Sequence, residues 1–274
     1  LKSNSKIKCV AVVRRTLKHI NIMKKLFITF LSAFALTITA VAQKTYAIIT
    51  GVSNYEGTEN DLTQSTKDAK RLASLYQSKG ATIILMTSKN ATRSNVIAAI
   101  RKVKNMATSN DRIVFAYSGH GMENIICTYA STVSQMLSYN DLFKELDLCQ
   151  AKDIVCYIDA CFSGSAANNM HSKDWNDTNS KAWENIMKNN PRYIVFLSSR
   201  SGETSAESRI AGSGLLTNGI IKGLRGKADS DGDKNITVME LFKYVHQDVQ
   251  LHNKKQHPQL VTSKALYNNV LMSW

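Results

Sequence analysis

No glycine-rich phosphate loop follows the first apolar run. Gly51-Val52-Ser53-Asn54 lacks the later glycines, which disfavours a phosphate-binding enzyme. Five cysteines include no C-x-x-C pair, so neither a zinc motif nor a dithiol redox motif is indicated. A basic stripe interleaved with aromatics is also missing, and the formal charge of +14 does not supply one. Eight Lys or Arg fall in the first 42 residues, where there is no Asp or Glu. Without them the charge is +6 over 232 residues, a mildly basic solvated surface rather than a nucleic-acid footprint, so no nucleic-acid partner is expected. There is no internal repeat and no low-complexity tract. What is left has the length of one domain with a large core.

The basic leader has its own pattern. Met23-Lys24-Lys25 precedes the apolar run Leu26 to Thr39, then Ala40-Val41-Ala42 and Gln43. A charged start, an apolar middle and an A-x-A site make up a secretory signal, which predicts cleavage after Ala42. Residues 1–22 then read as an upstream extension, 23–42 as the signal and 43–274 as the working domain. The competing reading is an uncleaved anchor, since about 17 apolar residues can just span a bilayer. The small residues at the cleavage position favour removal. The product is then exported, periplasmic or secreted, without stable membrane association. An oxidising space allows a Cys127–Cys149 bridge. Cys156 sits in the apolar run Ile154-Val155-Cys156-Tyr157-Ile158 and reads as a buried, inert thiol.

Strand and helix patterns alternate beyond the leader. Buried strands are predicted at Tyr46 to Gly51, Thr82 to Met86, Ile113 to Tyr117, Ile154 to Asp159 and Arg192 to Ser198. Amphipathic helices are predicted at Asp68 to Ser78 (ended by Gly80), Thr92 to Met106, Asn140 to Leu148, Leu215 to Leu224 and Val238 to Leu251. Strands separated by helices imply parallel pairing through right-handed crossovers, and continuous apolar strands imply cover on both faces. The expected fold is a three-layer α/β/α sandwich with a mostly parallel central sheet. Residues 163–190, rich in Asn, Ser, Asp and Lys, read as one long exposed loop.

Two short segments carry the chemistry: Tyr117-Ser118-Gly119-His120-Gly121 and Asp159-Ala160-Cys161-Phe162-Ser163-Gly164. Each follows a predicted strand, so His120 and Cys161 both belong at carboxyl strand ends, where parallel α/β sheets bind ligands. A thiolate is a nucleophile, and a nearby imidazole takes its proton or stabilises it. The flanking glycines let the backbone turn sharply, and the N–H groups of Gly121 and Cys161 could face one developing oxyanion. A lone His or Cys in such a place is more often structural. Two complementary ones argue for a site.

These two segments resemble the His and Cys motifs of metacaspases and their bacterial caspase-like relatives. The resemblance runs from about Lys44 to the last helix. It includes Ala47 to Asn54, the Ser198-Ser199…Glu203-Thr204-Ser205 segment and Gly214 to Leu224. It implies a caspase-like fold and endopeptidase activity on protein or peptide substrates, with no cofactor required for the chemistry. His120 is then general base and acid, Cys161 the nucleophile, and Gly121 and Cys161 the oxyanion donors. Asp159 and Ser118 match the metacaspase S1 pocket, and Asp68 looks like its second acid. The pocket therefore implies cleavage after Arg or Lys, and the resemblance implies a monomer. Asp68 could equally be a first-turn helix acid favoured by the macrodipole. Ser65 departs from the pattern where metacaspases often carry Cys, so an auxiliary thiol there is absent. Rival readings are a clostripain-like, gingipain-like or legumain-like peptidase of the same clan, or a silent binding module on the same fold. Lys173 and Lys181 in the long loop would be self-cleavage sites for a basic-specific enzyme.

A second motif lies at 229–240. Asp229, Asp231 and Asp233 at positions 1, 3 and 5, Asn235 as a backbone ligand at 7, Ile236 at 8 and Glu240 at 12 follow the EF-hand register and suggest Ca2+. Lys234 stands where EF-hands use Gly, and a left-handed turn there costs about 1 kcal/mol. The plain alternative is an acidic turn with Glu240 at a helix start.

Overall fold

The computed structural model describes residues 23–24, 42–57, 59–122, 124–160, 190–199, 207–208 and 213–274. The chain divides into two compact units, Leu1–Ala42 and Gln43–Trp274, and the second carries the sheet. Of the segment read as a signal, only Met23, Lys24 and Ala42 fall among the described residues.

Six strands form the main sheet: β1 (Thr45–Gly51), β2 (Thr82–Thr87), β3 (Arg112–Ser118), β7 (Asp153–Asp159), β8 (Tyr193–Leu197) and β12 (Gln259–Thr262). Their order is β12-β8-β7-β3-β1-β2. The pairs among β2, β1, β3, β7 and β8 are parallel, and β12 runs antiparallel to β8. Strands β1, β3, β7 and β8 are buried almost end to end, as a sheet covered on both faces requires.

Alternation along each strand sorts its residues between two cores. Ile48, Phe115, Tyr117, Cys156 and Ile158 pack with Val96 and Ile100 of α2 (Arg93–Lys104) and Leu142 and Leu146 of α3 (Tyr139–Asp147). On the other face Ile49, Ala116, Val155 and Tyr157 pack with three helices. These are α1 (Ser65–Ser78), α4 (Leu215–Lys222) and α5 (Val238–His252), which supply Leu72, Tyr76, Leu216, Ile220, Leu241 and Val245. The α/β/α sandwich with a mostly parallel central sheet expected from the sequence is the fold observed. Gly80 does follow α1 with a left-handed φ of 81°, its N–H bonded to the Gln77 carbonyl.

Several features were not legible in the pattern. β12 is short and partly exposed, so it lacks a continuous apolar run. A small three-stranded sheet links β4 (Gly121–Met122), β5 (Ile125–Ile126) and β6 (Leu137–Ser138). Further two-residue strands β9 (Glu207–Ser208) and β10 (Ser213–Gly214) pair with each other. Two residues cannot establish a period. The strand β11 (Asn235–Thr237) pairs with β13 (Val270–Ser273). Helix α4 is shorter than predicted and continues as a π-turn over Gly223–Lys227. The Cys127–Cys149 bridge does not form. Both are buried and outside any disulfide, as is Cys156. Cys149 Sγ instead donates to the Glu145 carbonyl at 3.7 Å. Its pKa is pushed up to about 11 by burial. Burial also pushes the Cys156 thiol up, as an inert core thiol should be.

Candidate functional site

The register places Gly51, Ser118 and Asp159 side by side at the carboxyl ends of β1, β3 and β7. The next residue along β3, Gly119, donates its N–H to the Asp159 carbonyl at 3.1 Å, so the turn carrying His120 is tied to the end of β7. His120 is half-buried between β3 and β4. Its Nε2 lies 2.8 Å from the Asn60 carbonyl. A carbonyl only accepts, so Nε2 carries the proton in this contact, which leaves Nδ1 as the nitrogen able to accept from a thiol. The backbone of His120 is held as well. Its N–H donates to the Tyr55 hydroxyl at 2.7 Å, and its carbonyl accepts from Tyr117 Oη at 2.8 Å and from the Cys127 N–H at 3.1 Å. Gly121, the candidate oxyanion donor, opens β4 opposite Ile126 and is buried.

Ser118 and Asp159 alternate with Tyr117 and Ile158, so they face the α1/α4 side of the sheet. Asp68, in the first turn of α1, faces the same place. Asp68 and Asp159 are 0% and 5% exposed. The Gly214 N–H donates to Asp68 Oδ2 at 2.7 Å, and the Thr217 N–H donates to Asp159 Oδ2 at 2.9 Å. Gly214 is the N-cap of α4 and Thr217 lies in its first turn. Both acids therefore meet one helix start, where backbone donors converge and the macrodipole is positive. Gly214 has no room for a side chain. A Cβ there would come within 3.3 Å of Asp68 Oδ2 and 3.0 Å of Asp159 Cγ, so the two carboxyl groups flank a single glycine. Arg71 Nη1 lies 3.7 Å from Asp68 Oδ1, and its Nη2 donates to Asn218 Oδ1 at 3.4 Å. The structure thus brings Asp68, Asp159 and Ser118 together at the sheet edge that also carries His120. Asp68 is a first-turn acid of α1, but its carboxylate serves the start of a different helix.

Cys161 lies outside the described residues, as do the long loop from 163 to 189, Lys173 and Lys181 among them. The backbone just before Cys161 is described. Ser198 Oγ accepts the Ala160 N–H at 3.1 Å and donates to the Ala160 carbonyl at 2.7 Å. The Ser198 carbonyl in turn accepts from Gln256 Nε2 at 2.9 Å, and both residues are fully buried.

The acidic motif lies elsewhere. Carboxylate oxygens of Asp229, Asp231 and Asp233 fall within 4.8 Å of one another. They are ordered by N–H donors from within the loop: Gly232 and Lys234 to Asp229, Asp233 to Asp231, and Asn235 to Asp233. Lys234 takes the left-handed turn that position 6 demands, with φ 66°. Ile236 is buried. Glu240 closes a capping box instead: one oxygen accepts from the Thr237 N–H and hydroxyl, the other from the Ser230 N–H and hydroxyl. Partial burial works to raise its pKa, but these four donors outweigh that and hold it at about 2. Asn235 Oδ1 accepts from Ser273 Oγ at 2.7 Å. This loop lies toward the amino end of the sheet. β11 pairs with β13, and the Leu271 carbonyl of β13 accepts from Arg112 Nη1, at the first residue of β3. Arg112 and Ser118 span the seven residues of β3, about 20 Å.

Sequence reasoning did not find Tyr55, Asn60, Gly214, Thr217 or Gln256. Tyr55 and Asn60 act from a loop with no periodicity. Gly214 and Thr217 act through their backbones, and Gln256 stands in a polar run (His252-Asn253-Lys254-Lys255-Gln256) that reads as solvated.

The chain is similar to known proteins in sequence family and in fold. Residues 44–268 match the family model described as Caspase domain. Among solved structures, a protein from Geobacter sulfurreducens superposes with a TM-score of 0.59 at 16% identity. The match covers 84% of this chain and 98% of that one, and it speaks for the fold alone. No curated protein matches the sequence.

Proposed function

The chain belongs to the caspase family, and on that premise we propose that it is an exported cysteine endopeptidase cleaving after Arg or Lys. The observation that carries the specificity is the meeting of Asp68 and Asp159 at Gly214, beside Ser118 and on the sheet edge that bears His120. Two carboxyl groups in a partly dry cleft favour a cationic side chain. In the reaction, His120 Nδ1 takes the Cys161 thiol proton while Asn60 holds Nε2. The sulfur attacks the peptide carbonyl, and the oxygen that gains charge is met by the N–H groups of Gly121 and Cys161. The imidazolium then gives its proton to the departing amine, and water hydrolyses the thioester. Paired fluorogenic peptides ending in Arg and in Asp test this reading. Faster hydrolysis of the Arg peptide is expected, and preference for the Asp peptide would sink the pocket assignment.

Calcium belongs to the same proposal in a separate place. Asp229, Asp231 and Asp233 offer hard oxygen ligands, and Asn235 its carbonyl, whereas Glu240 would have to leave its capping box to join them. Because the loop lies at the far end of β3, bound calcium would stabilise the domain and take no part at the peptide bond. Self-cleavage at Lys173 or Lys181 would follow from a basic-specific pocket. Mass spectrometry of the purified protein beside Cys161→Ala reads it, together with removal of the leader.

A further inference from the structure

Tyr55 comes from the loop between β1 and α1 and meets His120 twice. Its hydroxyl oxygen accepts the His120 N–H at 2.7 Å, and its ring lies against the imidazole with centroids 4.9 Å apart and planes inclined by 42°. The loop is closed on itself. The Tyr55 N–H donates to Asp61 Oδ1 at 2.9 Å and the Leu62 N–H to the Ser53 carbonyl at 2.7 Å. The Thr66 N–H, donating to Ser53 Oγ at 2.9 Å, fastens the loop to the first turn of α1. Asn60, whose carbonyl takes His120 Nε2, belongs to the same closed loop. The Tyr117 hydroxyl holds the other side of His120 by donating to the His120 carbonyl, and the Tyr117 and Tyr55 side chains also interact with each other. A Cβ at Gly119 would stand 2.8 Å from Tyr55 Oη, so this turn closes tightly over the phenol.

We infer that Tyr55 is a positioning residue for the His120 imidazole, fixing both the backbone it hangs from and the plane in which it lies. The inference rests on the Cys–His reading of the site. A histidine ring turns about two side-chain torsions. The Asn60 carbonyl fixes one nitrogen but not the ring plane, and a catalytic group displaced by about 1 Å can lose on the order of a hundredfold in rate. The Tyr55 ring supplies the missing face, and its hydroxyl stops the backbone of the turn from sliding.

Two variants separate these contributions. Tyr55→Phe keeps the ring and removes the acceptor; Tyr55→Leu removes both. Amide hydrogen exchange at His120 is measured beside kcat and KM on the Arg-terminated peptide and the unfolding midpoint. Faster exchange is expected in both variants. The kcat should fall about tenfold for Phe and toward a hundredfold for Leu, with KM and the midpoint close to wild type. Unchanged exchange overturns the contact. Unchanged kcat in Tyr55→Leu, or a fall that only tracks lost folded protein, overturns the positioning role. A wild type that cleaves neither peptide while His120 exchange still responds to Tyr55 would remove the peptidase reading itself, and with it the purpose assigned here.

Discussion

At the amino end of the sheet, Arg112 and Asp153 form a buried, doubly hydrogen-bonded ion pair, and Arg112 also donates to the Leu271 carbonyl. Burial works to lower the Arg112 pKa, but the Asp153 carboxylate outweighs it and raises the value. At the carboxyl end the buried acids are Asp68 and Asp159, met by backbone N–H groups at the start of α4, with the Arg71 guanidinium also 3.7 Å from Asp68 Oδ1. Both ends bury carboxylates, and the partners differ. A guanidinium in bidentate contact consumes a carboxylate's charge and geometry. A backbone amide orients a carboxylate without neutralising it. The first arrangement ties strands to the closing strand of the domain. The second, in which Arg71 stands off Asp68 at 3.7 Å without a bidentate contact, is the arrangement the proposed cation-receiving cleft would use. Substitutions at the carboxyl end should therefore cost activity with little stability, and those at the amino end the reverse.

The largest effect expected is at the proposed dyad. Cys161→Ala or His120→Ala should lower kcat/KM by roughly a thousandfold or more, with the unfolding midpoint unchanged. Retained turnover in Cys161→Ala would remove the nucleophile. At the opposite end, Asp153→Ala leaves Arg112 buried without its partner and should cost about 3–5 kcal/mol in denaturant unfolding. The double variant Arg112→Leu/Asp153→Leu should recover most of that, while the folded fraction of either keeps its turnover. A loss of kcat per folded molecule would break the comparison. Asp159→Asn, which keeps shape and removes charge, should lower kcat/KM for the Arg peptide by about a hundredfold, mostly through KM. Equal losses on Arg and neutral peptides would mean that Asp159 only caps α4.

Smaller effects belong to the acidic loop. Calcium should raise the unfolding midpoint of the wild type and leave Asp231→Ala unmoved, and equal calorimetric heats for the two would take the metal out of the loop. Glu240 sharpens the same point through pH. Its folded-state pKa of about 2 lies below the ordinary carboxylate value of 4.5. The stability it lends is thus fully present above about pH 4.5 and is lost as pH falls toward 2. Glu240→Gln should flatten that part of the stability–pH curve and cost about 1 kcal/mol at neutral pH. A wild-type curve of the same slope as the variant's would contradict the capping account.

The parallel sheet was legible because β1, β3, β7 and β8 are unbroken apolar runs, and the helices because their stripes are long. The edge strand β12 and the two-residue strands were not, since pairing there depends on neighbours distant in sequence. The same divide runs through the candidate site. His120 announced itself by its place between glycines after a strand, whereas Asp159 stood out only through the resemblance of its motif to the metacaspase pocket. Tyr55, Asn60 and Thr217 act through a loop fold or a backbone amide, and side-chain identity carries no trace of that. The Cys127–Cys149 expectation failed because an oxidising compartment would only permit a bridge, whereas geometry decides it. Cys149 is turned to the carbonyls of Ile100 and Glu145.

A peptidyl-arginyl chloromethylketone tests the central claim most directly, read by mass spectrometry of the intact chain and its fragments. One adduct, on Cys161, is predicted, formed at least a hundredfold more slowly in His120→Ala. No adduct on Cys161, or labelling that ignores His120, would contradict a thiol and an imidazole working together at the carboxyl edge of this sheet.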